Sequence, residues 1–269
     1  MCAAKRYSPV GDGGPLRSSI GSSSTRPLAL KFKSLGIDAD GLDVIVQVVK
    51  HRARVAAGAE VIRLGDSATH STLLLDGTAC SYKRNEDGGR YIHSFQHAGD
   101  FCDLYRYVVP ERDDAVGIQA LTDCSVAIID YRDLDRLLAQ PKLALAFWRT
   151  TMLEGAIYRE RLANASRRSA LERVANLLCE QLARREAVGI SGGRLPLSQI
   201  DVADAAALSV VHVNRTIQTL RSRNILSKAS HLEVIDRKQL AQIAKFDGRY
   251  LNMPQLLSRW TVRVEEEPA

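Results

Sequence analysis

The sequence predicts an α+β protein whose first half is an antiparallel β domain and whose second half is helical. Three observations favour this fold class. Between Ala56 and Asp130, glycines and Asp-Gly pairs punctuate the chain about every ten residues, as in short antiparallel strands joined by turns. From Pro141 to Ala165, apolar residues recur at helical intervals. From Ser169 onward, shorter helical segments follow, several of which begin at a residue that can cap a helix.

The composition is that of an ordinary globular protein with a basic excess. The 269 residues are 45% hydrophobic and 25% charged, which is enough chain for two domains with cores of their own. The net charge of +6 suits a polyanionic partner. The five scattered cysteines do not form a disulfide pattern. No apolar run is long enough for a transmembrane helix and no signal peptide is recognisable, so we expect a cytoplasmic protein without membrane contact.

The first 34 residues are predicted to be a disordered tail, because Gly11–Pro27 is rich in Gly, Ser and Pro. A short helix is expected over Ala39–Arg54, with apolar residues on one side. The strands of the β domain are predicted from β-branched and aromatic residues between turns. They are Val61–Leu64, Thr72–Leu75, Thr78–Lys83, Tyr91–Gln96 and Ser125–Ile129.

A short helix at Asp133–Leu138 and a long helix at Pro141–Ala165 are expected after the β domain. A helix of this length needs a partner surface, and we favour a second copy of the chain bound through a coiled-coil-like seam. Packing against the chain's own β domain is the alternative. Asn164–Arg168 is a candidate hinge before the next helix, which Ser169 and Glu172 can begin as a capping box. The apolar residues of the long helix are Leu145, Trp148, Met152, Leu153, Ile157 and Tyr158.

Two short helices joined by a tight turn are predicted within Leu195–Leu226. Ser198 and Asp201 have the spacing of a capping box for the first helix, and Ser209 can cap the second. The turn is expected at Ala205–Leu208. Ile200 and Ala203 are expected on the inner face of the first helix, and Val213, Ile217 and Leu220 form one apolar stripe on the second.

The second of these helices is polar and basic on its remaining faces. No Asp or Glu occurs between Ala205 and Leu232, which suits a helix that enters a DNA groove lined by phosphates, because no carboxylate there would face a phosphate. A helix-turn-helix places its second helix in the major groove. An ordinary helical hairpin with a solvated basic face is the alternative. The remaining faces carry His212, Asn214, Arg215, Gln218, Arg221 and Arg223.

The segments after this pair of helices complete a winged helix. Leu226–Lys228 and Leu232–Ile235 can pair as a small hairpin, which would be the wing. Asp236 can cap a last helix, Arg237–Tyr250, and the tail from Asn252 is expected to be loose. A Gly-rich phosphate loop, a nucleophile elbow and metal-ligand spacing are all missing from the sequence, so we expect no enzyme and no metal site.

The order of β-roll, long helix, hinge and winged helix-turn-helix resembles the Crp/Fnr family of bacterial transcription regulators. The resemblance covers about Ile37–Leu251. It implies a tail at 1–34, a β-roll sensor domain of the cyclic-nucleotide-binding type at 35–140, a dimerisation helix and hinge at 141–166, a winged helix-turn-helix DNA-binding domain at 167–251, and a loose tail at 252–269. The motifs that carry it are Leu75–Gly77, Ala98–Phe101, Arg168–Arg173, Leu195–Gln199 and Val211–Thr216.

The resemblance assigns the DNA-reading positions to the start of the second helix. Val211 stands where the family often has Glu, and valine offers only an apolar contact, for example to a thymine methyl group. Arg215 matches the family's base-contacting arginine and can pair with guanine, with a phosphate contact as the alternative. Ala207 stands where the turn normally has Gly. The predicted DNA-binding residues are Ser209, Val210, Val211, His212, Asn214 and Arg215, with His212 better suited to phosphate than to a base.

The sensor domain does not match the family's cyclic-AMP site. The family places an arginine on the cyclic phosphate, and this chain has Asp113 and Asp114 there, which would repel a phosphate. Arg112 lies one position away, and Asp103 is a short replacement for the Glu that binds ribose. The cysteine spacing does not resemble an iron–sulfur segment, although Cys102 is a candidate for a redox role. We therefore expect no cofactor, and Cys102, Asp103 and Arg112 are the candidates for any effector.

These observations predict a homodimeric regulator that binds a two-fold symmetric site on double-stranded DNA, with RNA polymerase as a further candidate partner. The first alternative is a regulator gated by a cyclic nucleotide. The second is an interaction or scaffold protein whose basic helices bind an acidic partner other than DNA. Sequence preference for a duplex discriminates the regulator from the scaffold, because both would show salt-dependent binding.

Overall fold

A computed structural model describes residues 8–9, 22–49, 51–66, 69–109 and 116–253, with side chains from residue 26 onward. The chain forms two compact units, Met1–Glu154 and Gly155–Ala269. The first contains two antiparallel sheets with helices, and the second is mainly helical, so the predicted α+β class is confirmed. The predicted positions of Arg112, Asp113 and Asp114 lie outside the described residues.

Two four-stranded antiparallel sheets form the β-roll of the first unit. The strands are β1 (Ser8–Pro9), β2 (His51–Val55), β3 (Glu60–Ile62), β4 (His70–Asp76), β5 (Thr78–Arg84), β6 (Arg90–His97), β7 (Gly117–Ala120) and β8 (Cys124–Asp130). The strand orders in the two sheets are β1-β2-β8-β4 and β3-β7-β5-β6. The predicted strands are all present with slightly different ends, and β7 is a strand that the sequence did not predict.

The two faces of strand β4 supply two separate cores, because side chains alternate along a strand. Leu74 packs in a cluster with residues of the second sheet, such as Ile118. Leu73 and Leu75 belong to the other cluster, which is completed by helices. The sheet that contains β4 is therefore covered on both faces, which explains why nearly every residue of β4 is buried.

The helices of the first unit are α1 (Ser22–Ser34), α2 (Ala39–Val48), α3 (Leu104–Val108) and α4 (Tyr131–Leu138). Helix α1 lies where the sequence analysis expected a disordered tail. Its Leu28 and Phe32, one turn apart, are buried in the helix-covered core, and Lys31 forms a 2.6 Å ion pair with Asp100. The Ser- and Pro-rich composition extends into the first turns of this helix, so the buried apolar pair, and not the composition, decides its structure. Most of the remaining tail lies outside the described residues.

The prediction of a helix over Ala39–Arg54 is correct for the first part of this range and wrong for the last part. Helix α2 ends at Val48, and His51–Val55 forms strand β2, which pairs with β8. Within β2, Ala53 and Val55 are buried while Arg54 is exposed, which is the alternation of a strand. The apolar residues up to Val49 have helical spacing, but the next few residues follow a period of two.

The long helix α5 (Pro141–Arg167) begins in the first unit and ends in the second, two residues beyond its predicted end. The candidate hinge at Asn164–Arg168 is helical up to Arg167, so the break in the helix lies at Arg168–Ser169. The buried side chains near its start, such as Leu143 and Phe147, belong to the core of the first unit. Phe147 makes an edge-to-face contact with Phe101 at 5.0 Å between ring centroids.

The second unit contains the predicted winged helix. Its helix α6 (Ala170–Ala187) begins with the predicted capping box, in which the Ser169 amide donates to Glu172 at 2.8 Å. These hydrogen bonds and the nearby Lys245 lower the pKa of Glu172 to about 2. The remaining elements are β9 (Arg194–Leu195), α7 (Gln199–Ala206), α8 (Val210–Ser222), β10 (Leu232–Glu233), α9 (Arg237–Ala244) and a 3₁₀ helix, Gly248–Leu251.

The last helix differs from its predicted span of Arg237–Tyr250. It ends at Ala244 because Lys245 adopts a left-handed conformation, and a short 3₁₀ helix follows. Met253 is buried, so the loose tail expected from Asn252 does not begin there, and residues 254–269 lie outside the described chain.

A buried carboxylate joins the end of α5 to the rest of the second unit. Glu180 on α6 accepts a 2.9 Å bond from Arg161 of α5 and a 3.2 Å bond from the hydroxyl of Tyr250. Asn164 of α5 donates to Asn176 of α6 at 2.8 Å. Because buried charges and amides need partners, these contacts fix the last two turns of α5 against α6.

Candidate nucleic-acid interface

Hydrogen bonds define both ends of helix α7, the second of which is the turn to α8. The predicted capping box of α7 is confirmed: the Ser198 amide donates to the Asp201 carboxylate at 2.8 Å, and the Asp201 amide donates to Ser198 Oγ at 3.1 Å. At the other end, Ala207 adopts the left-handed conformation with φ of 50°. Arg173 of α6 donates to the carbonyls of Ala206 and Ala207. The helix therefore ends where the sequence predicts the turn.

The inner face of α7 differs in part from the prediction. Ala203 is buried as expected, but Ile200 is 56% exposed. The buried residues of α7 are Val202, Ala203 and Ala206, together with the capping Asp201. The buried face of the helix is therefore rotated from the predicted one. Ile200 is left at the surface of the first turn.

Helix α8 has one buried stripe and an exposed basic face, as predicted. Val213, Ile217 and Leu220 are fully buried. Ser209 caps the helix by accepting a 3.3 Å bond from the His212 amide, and its hydroxyl also lies 3.2 Å from His212 Nδ1. The cap aligns the first turn, so the free amides at the start of α8 point out of the helix end, where they favour an anion.

All six predicted DNA-binding residues lie on the exposed surface of α8 or its cap: Ser209, Val210, Val211, His212, Asn214 and Arg215. Asn214 has a role that the sequence did not reveal, since its amide donates to Gln199 of α7 at 3.1 Å and links the two helices. Gln218 is also exposed, one turn beyond Asn214 and Arg215. Its helical spacing from Val211 and Arg215 is the signal that places it on their face.

The cations near α8 divide into exposed and structural ones. Arg215, Arg223 and Lys228 are exposed. Arg221 instead donates to the carbonyl of Ser227 at 3.1 Å and also bonds the carbonyl of Ala229, so it holds the turn after α8. Within the described chain, no carboxylate forms an ion pair with Arg215, and its guanidinium is available to a polyanion.

The wing contains the predicted pairing and one additional strand. Leu226 bridges Val234, and the Ser227 amide donates to the Glu233 carbonyl at 2.8 Å. The additional strand is β9, which pairs with β10 and is not among the predicted elements. Gly193 precedes β9, and a Cβ atom there would lie 1.9 Å from the carbonyl oxygen of Val234. Only glycine permits this close approach of two backbones.

Two of the three candidate effector residues, Asp103 and Cys102, are buried and have structural roles in the first unit. Asp103 accepts a 2.9 Å bond from the Ser71 hydroxyl and a 2.8 Å bond from the Thr72 amide, and burial raises its pKa to about 6. Cys102 is buried in the core between the sheets, and burial, with help from the nearby Asp103, raises its pKa well above that of a free thiol. A thiol held protonated in this way is a poor nucleophile, which argues against the redox role. Arg112 lies outside the described residues.

Two further observations concern the described part of the chain. None of its helices combines the length and the apolar character needed to cross a bilayer. Its His, Cys, Asp and Glu side chains, including His93 and His97, do not come together in groups of three that could hold a metal ion.

Comparison with known families gives two separate matches. Residues 52–141 match the cyclic nucleotide-binding domain, and residues 172–243 match the Crp-like helix-turn-helix domain. Together they cover the β-roll and the winged helix in the order that the sequence predicts. The chain belongs to the Crp/Fnr family of transcription regulators. Dimer formation is typical of that family.

Individual relatives of this Crp/Fnr regulator are distant but cover most of its length. A "Probable transcriptional activator" of Rhizobium leguminosarum is 27% identical over 71% of this chain and 80% of its own. The "Transcriptional activator protein Anr" of Pseudomonas protegens is 24% identical over 82% of this chain and 90% of its own. The structure of FixK2 from Bradyrhizobium japonicum has a TM-score of 0.62 and 24% identity over 71% of this chain and 96% of its own, and it shows the same fold.

Proposed function

We propose that this Crp/Fnr regulator binds a two-fold symmetric DNA site as a homodimer, without a cyclic-nucleotide effector. The observation that carries the proposal is the outward face of α8, where Arg215 is exposed, capped helix amides precede it, and no acidic residue occurs from Ala205 to Leu232. Such a face suits the phosphates and guanine edges of a major groove.

The roles within the interface follow from position and chemistry. Arg215 pairs with a guanine through its planar guanidinium, Val211 contacts a base beside it, and Val210 contacts the DNA from the side of α8 that faces α7. Ser209 and His212, at the capped end of α8, contact phosphate, as do Arg223 and Lys228 from the end of α8 and the wing. Asn214 orients the recognition surface through its bond to Gln199.

Dimerisation would pair two copies of helix α5. Along this helix Leu145, Trp148 and Met152 are exposed, although they are large and apolar, and Tyr158 and Leu162 continue the exposed apolar surface. The spacing of Leu145, Trp148, Met152 and Leu162, with Gly155 and Arg159 between them, alternates between three and four residues. That spacing is typical of a coiled-coil seam. The opposite side of the same helix carries the buried residues, such as Leu143 and Ile157.

The bonds and charges of the candidate effector residues support the absence of a cyclic-nucleotide effector. Asp103 uses its carboxylate to hold strand β4 through Ser71 and Thr72 and is buried, so it is not free to bind a ribose hydroxyl. The acidic pair Asp113–Asp114 stands where a phosphate-binding arginine is expected. Titration calorimetry with cyclic AMP should therefore give no binding heat, and a saturable heat would favour the cyclic-nucleotide-gated alternative.

The decisive experiment is selection of bound duplexes from a random DNA pool with purified protein and no added ligand. A two-fold symmetric motif with a guanine in each half-site is expected. Arg215→Ala should lose roughly 1–3 kcal/mol of discrimination at that guanine and retain weak, salt-sensitive binding. Retention of the same motif by Arg215→Ala would contradict the assignment of this residue.

A matched control separates base reading from phosphate contact. Arg223→Ala also removes an exposed arginine from the end of α8. It should weaken binding to all duplexes equally and reduce the salt dependence by about one phosphate contact. RNA polymerase is proposed as a further partner. Supershift of the protein–duplex complex by the polymerase holoenzyme tests it, and equal polymerase binding with and without the regulator would count against it.

A further inference from the structure

The outermost position at the start of α8 is occupied by an apolar side chain. Val211 is 61% exposed, whereas Val213, two residues later, is completely buried. An α-helix turns about 100° per residue, so Val211 and Arg215 each lie about 160° from Val213 and about 40° from each other. These two side chains therefore project together, directly away from the hydrophobic interior of the unit.

Val211 differs in this respect from its neighbour Val210. Val210 is 44% exposed and lies on the side of α8 that faces α7, where the next residue along that face, Asn214, bonds Gln199. The cap, the buried stripe and the inter-helix bond are all supplied by other residues. The exposed methyl groups of Val211 thus share a face of α8 with Arg215, in a segment, Ala205–Leu232, that contains no carboxylate.

We infer that Val211 packs against the C5-methyl group of a thymine in each half-site, one or two base pairs from the guanine contacted by Arg215. This inference rests on the proposed function. The four-residue separation of Val211 and Arg215 spans about 6 Å along the helix. Successive base pairs are about 3.4 Å apart, so the two contacts fall within two steps. The thymine methyl is the apolar group that base edges present in the major groove, and valine cannot accept a hydrogen bond from cytosine.

The test removes the C5-methyl group of a single thymine and leaves the rest of the duplex unchanged. In the selected duplex, each thymine is replaced in turn by deoxyuridine, which keeps the O4 acceptor and lacks the methyl group. Wild-type affinity should fall about fourfold per half-site at one position near the guanine, the factor expected for burial of one methyl group. Val211→Ala, whose shorter side chain makes less contact, should show a clearly smaller difference between the thymine and deoxyuridine duplexes.

Two further variants make the assignment specific. Val210→Ala is the matched control and should keep the thymine preference at that position, whatever its overall affinity. Val211→Glu should change the preferred base there from thymine to cytosine, because a carboxylate accepts a hydrogen bond from cytosine N4. An acidic residue in the first turn also suits the helix dipole, so this variant should fold.

The outcomes separate this inference from the proposed function. Equal affinity of wild type for thymine and deoxyuridine at every position, with sequence preference retained, would overturn the thymine contact and leave the proposed function intact. Loss of the methyl preference in Val210→Ala rather than Val211→Ala would also overturn it. If selection yields no sequence preference at all, the proposed function fails and this inference fails with it.

Discussion

At the scale of single residues, Ala207 has a strained backbone conformation for a residue with a Cβ atom. Its φ of 50° lies in the left-handed region, where a Cβ atom crowds the following carbonyl. The surrounding contacts nevertheless require this conformation, because Arg173 bonds the carbonyls of Ala206 and Ala207, and the Leu208 amide donates to Ala203 at 3.1 Å. These contacts therefore hold Ala207 in the left-handed conformation, which destabilises the folded chain locally by about 1 kcal/mol.

Ala207→Gly should relieve this strain and stabilise the protein. The gain should be up to about 1 kcal/mol, since glycine adopts positive φ readily but loses more chain entropy on folding. Thermal unfolding should show a rise in Tm of roughly 2–4 °C. Ala205→Gly is the matched control inside α7 and should lower the Tm, because glycine disfavours a helix interior. A fall in Tm for both variants would show that Ala207 is not strained.

Residues whose roles depend on near neighbours were the most predictable. The capping boxes at Ser169 and Ser198 and the cap at Ser209 each need only a partner three residues away, and all three are present. Arg173 and Arg221 were not predictable in the same way. Their acceptors are backbone carbonyl groups in other segments. Every residue has a carbonyl group, so the sequence does not indicate which one accepts the bond.

At the scale of secondary structure, two errors have the same cause. Composition predicts disorder where helix α1 lies, and the helical spacing of apolar residues predicts a helix where strand β2 lies. In both cases tertiary packing outweighs the local signal. Helix α1 is stabilised by the burial of Leu28 and Phe32 and by the ion pair of Lys31 with Asp100, which lies about seventy residues away in the sequence. Strand β7 was missed because its four residues are too short to show a period.

The joint between strand β4 and helix α3 should be sensitive to pH through Asp103. Its folded-state pKa of about 6 exceeds the ordinary value of 3.8, chiefly because of burial, while Ser71, Thr72 and Arg106 act in the opposite direction. The stabilisation linked to its proton is thus complete below about pH 4 and is lost as the pH rises through about 6. Asp103→Asn keeps an oxygen acceptor and does not titrate, so its Tm should fall less between pH 4 and pH 6.

Tm values of wild type and Asp103→Asn at intervals from pH 4 to pH 7 measure this difference. Ser71→Ala is the informative comparison. It removes a hydroxyl that bonds the carboxylate and lowers its pKa. The loss of stability should therefore move to higher pH in Ser71→Ala. Parallel Tm curves for wild type and Asp103→Asn would show that Asp103 titrates alike in the folded and unfolded states.

At the scale of the whole molecule, function depends on the number of recognition helices bound to one duplex. In the proposed complex each copy of α8 reads one half-site, and a single half-site supplies few contacts. Two linked copies convert the second binding event into an intramolecular one, which typically raises affinity by a factor of 10² to 10⁴. The exposed apolar stripe on α5 is the surface through which the chain can provide that second copy.

Trp148→Glu should therefore abolish dimerisation and, with it, tight DNA binding. Trp148 is 65% exposed within one chain, so a charge there is tolerated by the monomer but would be desolvated in a paired seam. Light scattering should show a monomer, and affinity for the two-fold symmetric duplex should fall by about 10²-fold or more, towards that for a single half-site. Trp148→Leu, which keeps an apolar side chain, should remain dimeric and bind the full site. If Trp148→Glu stays dimeric with unchanged affinity, the seam must lie elsewhere, because a buried unpaired carboxylate could not be accommodated between two copies of α5.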